Sequence, residues 1–149
     1  NFEIRRLNLP YFIPRECIVK CGDLSGYEPD VIVLSRERLG DEPRWEKEST
    51  ITNGETALMV IEVVSGNWSD DYALKLDAYE VLGIQEYWIV DYLGIGGRKF
   101  IGNPKRPTLS IYSLENGDYN LKQYREDQPI NSLLFPDIKL RASRIFTAY

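Results

Sequence analysis

The sequence predicts an α/β domain, and three stretches carry that prediction. Ala57-Leu58-Met59-Val60-Ile61-Glu62-Val63-Val64 is a nearly unbroken apolar run, which suits a strand covered on both faces. After it, Ser69 offers an N-cap, Asp70 and Asp71 suit the positive end of a helix dipole, and Gly83 suits the helix stop. Glu86-Tyr87-Trp88-Ile89-Val90-Asp91 follows at once as a second buried strand with polar ends. Strand, helix and strand in so short a span favour a right-handed crossover and parallel pairing.

The remaining elements read in chain order. After an irregular start, Glu16 to Lys20 suits a short strand, and Gly22-Asp23-Leu24-Ser25-Gly26 a turn-rich connector. Asp30 to Leu34 is a further strand. Ser35 to Glu55 is polar and punctuated by Gly40, Pro43 and Gly54, so a long excursion with at most a short helix is expected. Gly94, Gly96 and Gly97 mark a loop. Thr108 to Leu114 and Tyr119 to Tyr124 suit a hairpin across Glu115-Asn116-Gly117-Asp118, and a short helix between Pro136 and Tyr149 is expected on the sheet edge. There is no internal repeat and no low-complexity tract.

A chain of 149 residues fits one domain, 1–149, with a real core. Hydrophobic residues at 43% and charged residues at 28% are the balance of a soluble globular protein, and no apolar stretch is long enough to cross a bilayer. The first residue is not Met, which points to an upstream segment removed or left out. Cys17 and Cys21 are too few for a disulfide scaffold, so a reducing, cytoplasmic setting is expected, with both thiols on one strand face filling a core edge. A zinc site there would need further ligands from Asp, Glu or another chain. The complete absence of histidine excludes Ser-His-Asp and Cys-His hydrolases and histidine general bases. Carboxylate, lysine and hard-metal chemistry remain.

Glu62 is the only charge in its strand, and burying it is costly unless a cation or several donors compensate. Pro29-Asp30 opens the earlier apolar run, while Asp71, Lys75 and Tyr79 fall at successive i+4 positions on one helical stripe. Each has a plainer reading. Asp71 and Lys75 could be a surface ion pair worth a few tenths of a kcal/mol. Asp30 could cap local backbone N–H groups, Tyr79 could simply be packed, and Glu62 could belong to a structural salt bridge.

Taken together, Pro29-Asp30, then Val60-Ile61-Glu62-Val63-Val64-Ser65, then Asp71 with Lys75 and Tyr79, then Gly83 and Glu86 to Asp91, resemble the Uma-two family of restriction-endonuclease-like proteins. The resemblance runs from about Tyr27 to the C-terminus. It implies the PD-(D/E)xK nuclease fold, a mixed sheet flanked by helices with acidic residues at the sheet's open end. It further implies Asp30 and Glu62 as catalytic, metal-binding acids and the backbone carbonyl of Val63 as another metal ligand. The basic pattern has a lysine two residues after the acid, where this chain has Val64. Lys75 on the next helix is the natural substitute, with Asp71 and Tyr79 behind it.

The implied activity is Mg²⁺-dependent endodeoxyribonuclease cleavage, with Mn²⁺ able to replace Mg²⁺. Phosphodiester hydrolysis needs a hydroxide at neutral pH, a Lewis acid on the phosphate and help for the leaving alkoxide, and two carboxylates suit a hard cation that retains water. DNA is the expected partner, a membrane is not, and homodimerisation stays open. The net charge of −5 opposes binding DNA by bulk electrostatics. Arg98, Lys99, Lys105 and Arg106 lie in an acid-free stretch that could meet phosphates locally, or be an ordinary solvated hairpin. A non-catalytic interaction module with the same fold is the rival reading, and hydrolysis of RNA or of a special DNA structure is a third.

Overall fold

The computed structural model describes residues 1–148. Its centre is a six-stranded mixed sheet in the order β1-β4-β6-β7-β8-β9, formed by β1 (Tyr11–Phe12), β4 (Val31–Ser35), β6 (Ala57–Val63), β7 (Glu86–Asp91), β8 (Thr108–Glu115) and β9 (Asp118–Tyr124). As the strand–helix–strand order predicts, β6 and β7 are parallel neighbours, with Glu62 opposite Ile89 and Val60 opposite Tyr87. The other pairings in this sheet are antiparallel. The hairpin β8–β9 turns on Asn116 and Gly117, both at positive φ, the conformation its Asn-Gly pair favours.

Side-chain alternation divides the core into two layers. Ile32, Val60, Val64, Tyr87, Ile89 and Tyr112 point to one face, and Val33, Met59, Trp88, Val90, Leu109 and Ile111 to the other. Helix α4 (Lys75–Leu82) sends Tyr79 into the first layer. That layer also holds the second sheet, in the order β3-β2-β5, made of β2 (Ile18–Cys21), β3 (Ser25–Tyr27) and β5 (Thr50–Ile51). The second layer is closed by α1 (Phe2–Arg6), through buried Ile4, and by α6 (Ala142–Phe146), through buried Ala142.

Several expectations need correcting. The start is not irregular: α1 forms there because Ile4 finds the hydrophobic layer. The early strand runs from Ile18 to Cys21, two residues later at its start than expected, and the connector after it runs into β3, which closes a hairpin. The excursion after Ser35 holds two short helices, α2 (Arg36–Leu39) and α3 (Trp45–Glu48), and strand β5. Glu42 organises it. Its buried carboxylate accepts bonds from Thr52 N–H and hydroxyl, Asn53 N–H and the Thr56 hydroxyl, at 2.7–3.0 Å, so many donors hold the ion without a cation.

Ser69 is not an N-cap. It is already helical, makes no side-chain capping bond, and leads into a π-helical turn, Asp70–Leu74, before α4. Gly83 does end α4, left-handed at φ 88°. The acid-free stretch is not a hairpin, since Arg98 to Ile101 form the short helix α5. Finally, α6 lies against the sheet face with Val33, Met59, Trp88 and Val90 instead of on the edge, because Ala142 is small enough to be fully buried there. The expected helix region also included Tyr149, which lies outside the described residues.

Candidate active site

At the carboxyl end of β6 the chain opens a cleft of about 300 Å³ whose ionisable lining is Glu28, Asp30, Glu62, Asp70, Asp71 and Lys75. Because β4 runs antiparallel to β6, with Val31 opposite Ile61, the start of one strand lies beside the end of the other, and the Asp30 side chain reaches Val63. Its Oδ2 accepts the Val63 N–H at 2.7 Å. The local cap considered for Asp30 is therefore replaced by a bond to the neighbouring strand.

Glu62 faces the layer that carries α4, as Val60 and Val64 do. Only 2% of it is exposed. Tyr79 donates its hydroxyl to Glu62 Oε1 at 3.2 Å, and Lys75 Nζ lies 3.2 Å from Oε2. Lys75 Nζ also donates to Asp71 Oδ1 at 2.9 Å. Lysine from the helix thus reaches the acid on the face where a lysine at position 64 would have stood, while Val64 itself is buried in the core. Tyr79 is fully buried as well as bonded to the acid, so packing and polar contact are not alternatives for it.

The electrostatics follow from that burial. Desolvation pushes the Glu62 carboxyl up to about 7, the Lys75 ammonium pulls it down, and the Asp30 charge adds to the rise. Burial also raises Asp71, against the hydrogen bond from Lys75. Burial works against the charged form of Lys75, but its bond to Asp71 and the charges of Glu62 and Asp71 outweigh it, so the ammonium is held above its ordinary range.

Among the described residues no three His, Cys, Asp or Glu side chains are grouped tightly enough to hold a metal by themselves. The donor set still fits a hard divalent cation, which is commonly held by one or two carboxylates and keeps several waters. Asp30 and Glu62 supply such carboxylates, and Val63 lines the same cleft. Among the described residues no such group of three surrounds the cysteines either. Cys17 is buried, and desolvation pushes its thiol up to about 12, as for an unreactive packed thiol.

The basic residues lie one step away. Gly97 and Phe100 pack on Trp68, and the Phe100 ring stacks on Tyr72 at 4.9 Å. Helix α5, with exposed Arg98 and Lys99, is thereby docked on the segment that carries Asp70 and Asp71. Arg106 pairs with Glu126 at 3.0 Å, and Lys105 donates to the Ile95 carbonyl at 3.4 Å. Loop 92–97 is held by Asp91, fully buried, which accepts the Ile95 and Gly96 N–H groups at 3.0 and 2.7 Å. Glu28 escaped the sequence reading because it is an acid in polar surroundings, and Asp70 was read there only as an acid suited to the helix dipole. Tyr87 escaped it too, although alternation along β7 places it on the face that Glu62 shares.

Sheet order, flanking helices and terminal hairpin define a restriction-endonuclease-like α/β protein of the PD-(D/E)xK class. The chain belongs to the Uma-two family, described as "Putative restriction endonuclease", which it matches over residues 2–143. No curated protein matches it. Among the described residues no helix is long and apolar enough to cross a membrane.

Proposed function

We propose that the protein is a metal-dependent endodeoxyribonuclease that hydrolyses phosphodiester bonds in this cleft. The observation that carries the reading is Lys75 Nζ standing 3.2 Å from the buried Glu62 carboxylate, in a cleft that Asp30 also lines. A buried carboxylate held beside a lysine, with further acids facing the same opening, suits phosphoryl chemistry better than a structural pair, which would not need an open cleft. Asp30 and Glu62 would hold Mg²⁺ or Mn²⁺, with the Val63 carbonyl as a further ligand. When bound, the cation would polarise the phosphate and lower the pKa of water.

The residues of the chain do the rest. Lys75, kept protonated by its two carboxylate partners, can donate to the attacking water or to a non-bridging oxygen as charge builds there. Asp71 keeps the ammonium from turning away, and Tyr79 holds Glu62 in its rotamer. Arg98, Lys99, Lys105 and Arg106 would meet the DNA backbone beside the cleft.

Supercoiled plasmid incubated with Mg²⁺ or Mn²⁺ should be nicked or cut. Lys75→Ala should lower turnover by at least about a hundredfold while sparing the fold, because its charge matters most in the transition state. Calorimetry should show Mn²⁺ binding that Glu62→Gln abolishes. Failure to bind or cut duplex, single-stranded or branched DNA would favour the non-catalytic interaction module, for which the acidic lining of the cleft speaks; cleavage of RNA alone would move the substrate class.

A further inference from the structure

An α-helical turn closes between a carbonyl and the amide four residues on, whereas a π turn closes over five. In the turn Asp70–Leu74 the Lys75 N–H donates to the Asp70 carbonyl, five residues back. The Asp71 carbonyl, which would take that N–H at α pitch, instead accepts the Tyr87 hydroxyl at 2.8 Å. Tyr87 is fully buried on β7, beside Val60, and its ring meets Tyr79 edge-on at 5.0 Å. It sits on a sheet strand and cannot follow the turn if the turn moves.

The hydroxyl and the turn therefore depend on each other. A buried phenol keeps a partner where it can, and the Asp71 carbonyl is the partner here. Remove the hydroxyl, and the carbonyl is left with one acceptor bond to regain, from the Lys75 N–H. Taking it tightens the turn to α pitch. That shifts Lys75 relative to Asp71 within the helix and relative to Glu62 on the sheet, where its two ion pairs at 2.9 and 3.2 Å set the ammonium's position.

We infer that Tyr87 is a positioning residue for Lys75: its hydroxyl holds open the wide turn that aims the ammonium at Glu62 and Asp71. The catalytic consequence rests on the nuclease reading, but the structural one does not. Wide turns of this kind recur at functional sites, and this one is braced from the sheet at the residue that pairs with the lysine.

The test is Tyr87→Phe, which keeps the ring, with Tyr112→Phe as the control, since Tyr112 stacks on Tyr87 without entering the cleft. Scalar couplings across hydrogen bonds, read by NMR on the metal-free protein, should link the Lys75 nitrogen to the Asp70 carbonyl in wild type and in Tyr112→Phe. In Tyr87→Phe the coupling should move to the Asp71 carbonyl. Turnover should fall about tenfold or more with KM unchanged, and p-aminophenylalanine at position 87, which restores a donor, should recover both. A coupling that stays on Asp70 in Tyr87→Phe overturns the inference, as does a moved coupling with unchanged turnover. If wild type cleaves nothing, the nuclease reading falls while the coupling still decides whether Tyr87 sets the turn. If the Phe variant does not fold, a wild-type coupling to Asp71 overturns the inference, and one to Asp70 with the aminophenylalanine variant folded and likewise coupled supports it.

Discussion

Glu62 shows how one side chain can carry both a cost to the fold and a proposed chemical role. Burial pushes its carboxyl up to about 7 in the folded protein, against about 4.5 for an ordinary glutamate. The folded state therefore holds the proton more tightly than the unfolded chain. The associated stability is fully present below about pH 4.5 and is lost as pH rises through 7, by about 3 kcal/mol at 1.36 kcal/mol per pH unit. Glu62→Gln, neutral throughout and still able to accept the Tyr79 hydroxyl, should remove that decline. Thermal unfolding from pH 4.5 to 8 should show wild type losing ground to the variant as pH rises. Parallel curves would mean that Lys75 and Tyr79 compensate the charge fully. A bound cation should reverse the trend, because it needs the carboxylate, so Mn²⁺ affinity should climb over the same interval.

At the scale of elements, α4 is tied to the rest of the molecule at its far end by a close backbone approach. A Cβ on Gly54 would collide with the Leu82 carbonyl, so only glycine lets the loop before β6 pass the end of the helix. Gly54→Ala should cost about 3 kcal/mol or more, lowering the melting temperature by roughly 6–12 °C for a chain of this size. A change within 1 °C would show that the loop can move aside freely. The strands β4, β6 and β7 and the hairpin were legible because apolar runs and an Asn-Gly turn are local signals. The π turn was not, since nothing in Asp70 to Leu74 marks it: its brace, Tyr87, is sixteen residues away in sequence. The two short helices after Ser35 were hidden for the same reason. Their anchor is Glu42, whose four acceptor bonds reach residues 52 to 56. Asp30, Glu62 and Lys75 could be singled out as residues, but the bond from Asp30 to Val63 depends on antiparallel pairing that composition does not encode.

Across the whole molecule, the net charge of −5 opposes the proposed substrate. The chain carries 23 acidic and 18 basic residues, and the cleft itself is lined mainly by acids. A DNA backbone would be repelled by Glu28, Asp30, Asp70 and Asp71 until a divalent cation offset them, so metal and DNA binding should be cooperative. In the proposed reading the attraction comes from Arg98 and Lys99 on α5 and from Lys105 and Arg106 beyond it, all exposed. Of these, Arg106 is partly committed to Glu126, an exposed pair of little strength that a phosphate could displace. Replacing all four by Ala should weaken DNA binding about equally across sequences and make it less sensitive to salt. Each lost phosphate contact removes about 0.9 from the slope of log affinity against log salt, so the slope should fall by about 3 to 4. Fluorescence anisotropy with labelled duplex, in Ca²⁺ to prevent turnover and across 25–200 mM salt, measures this. An unchanged slope in the quadruple variant would place the phosphates on another face of the molecule and leave α5 with only its packing role against Trp68 and Tyr72.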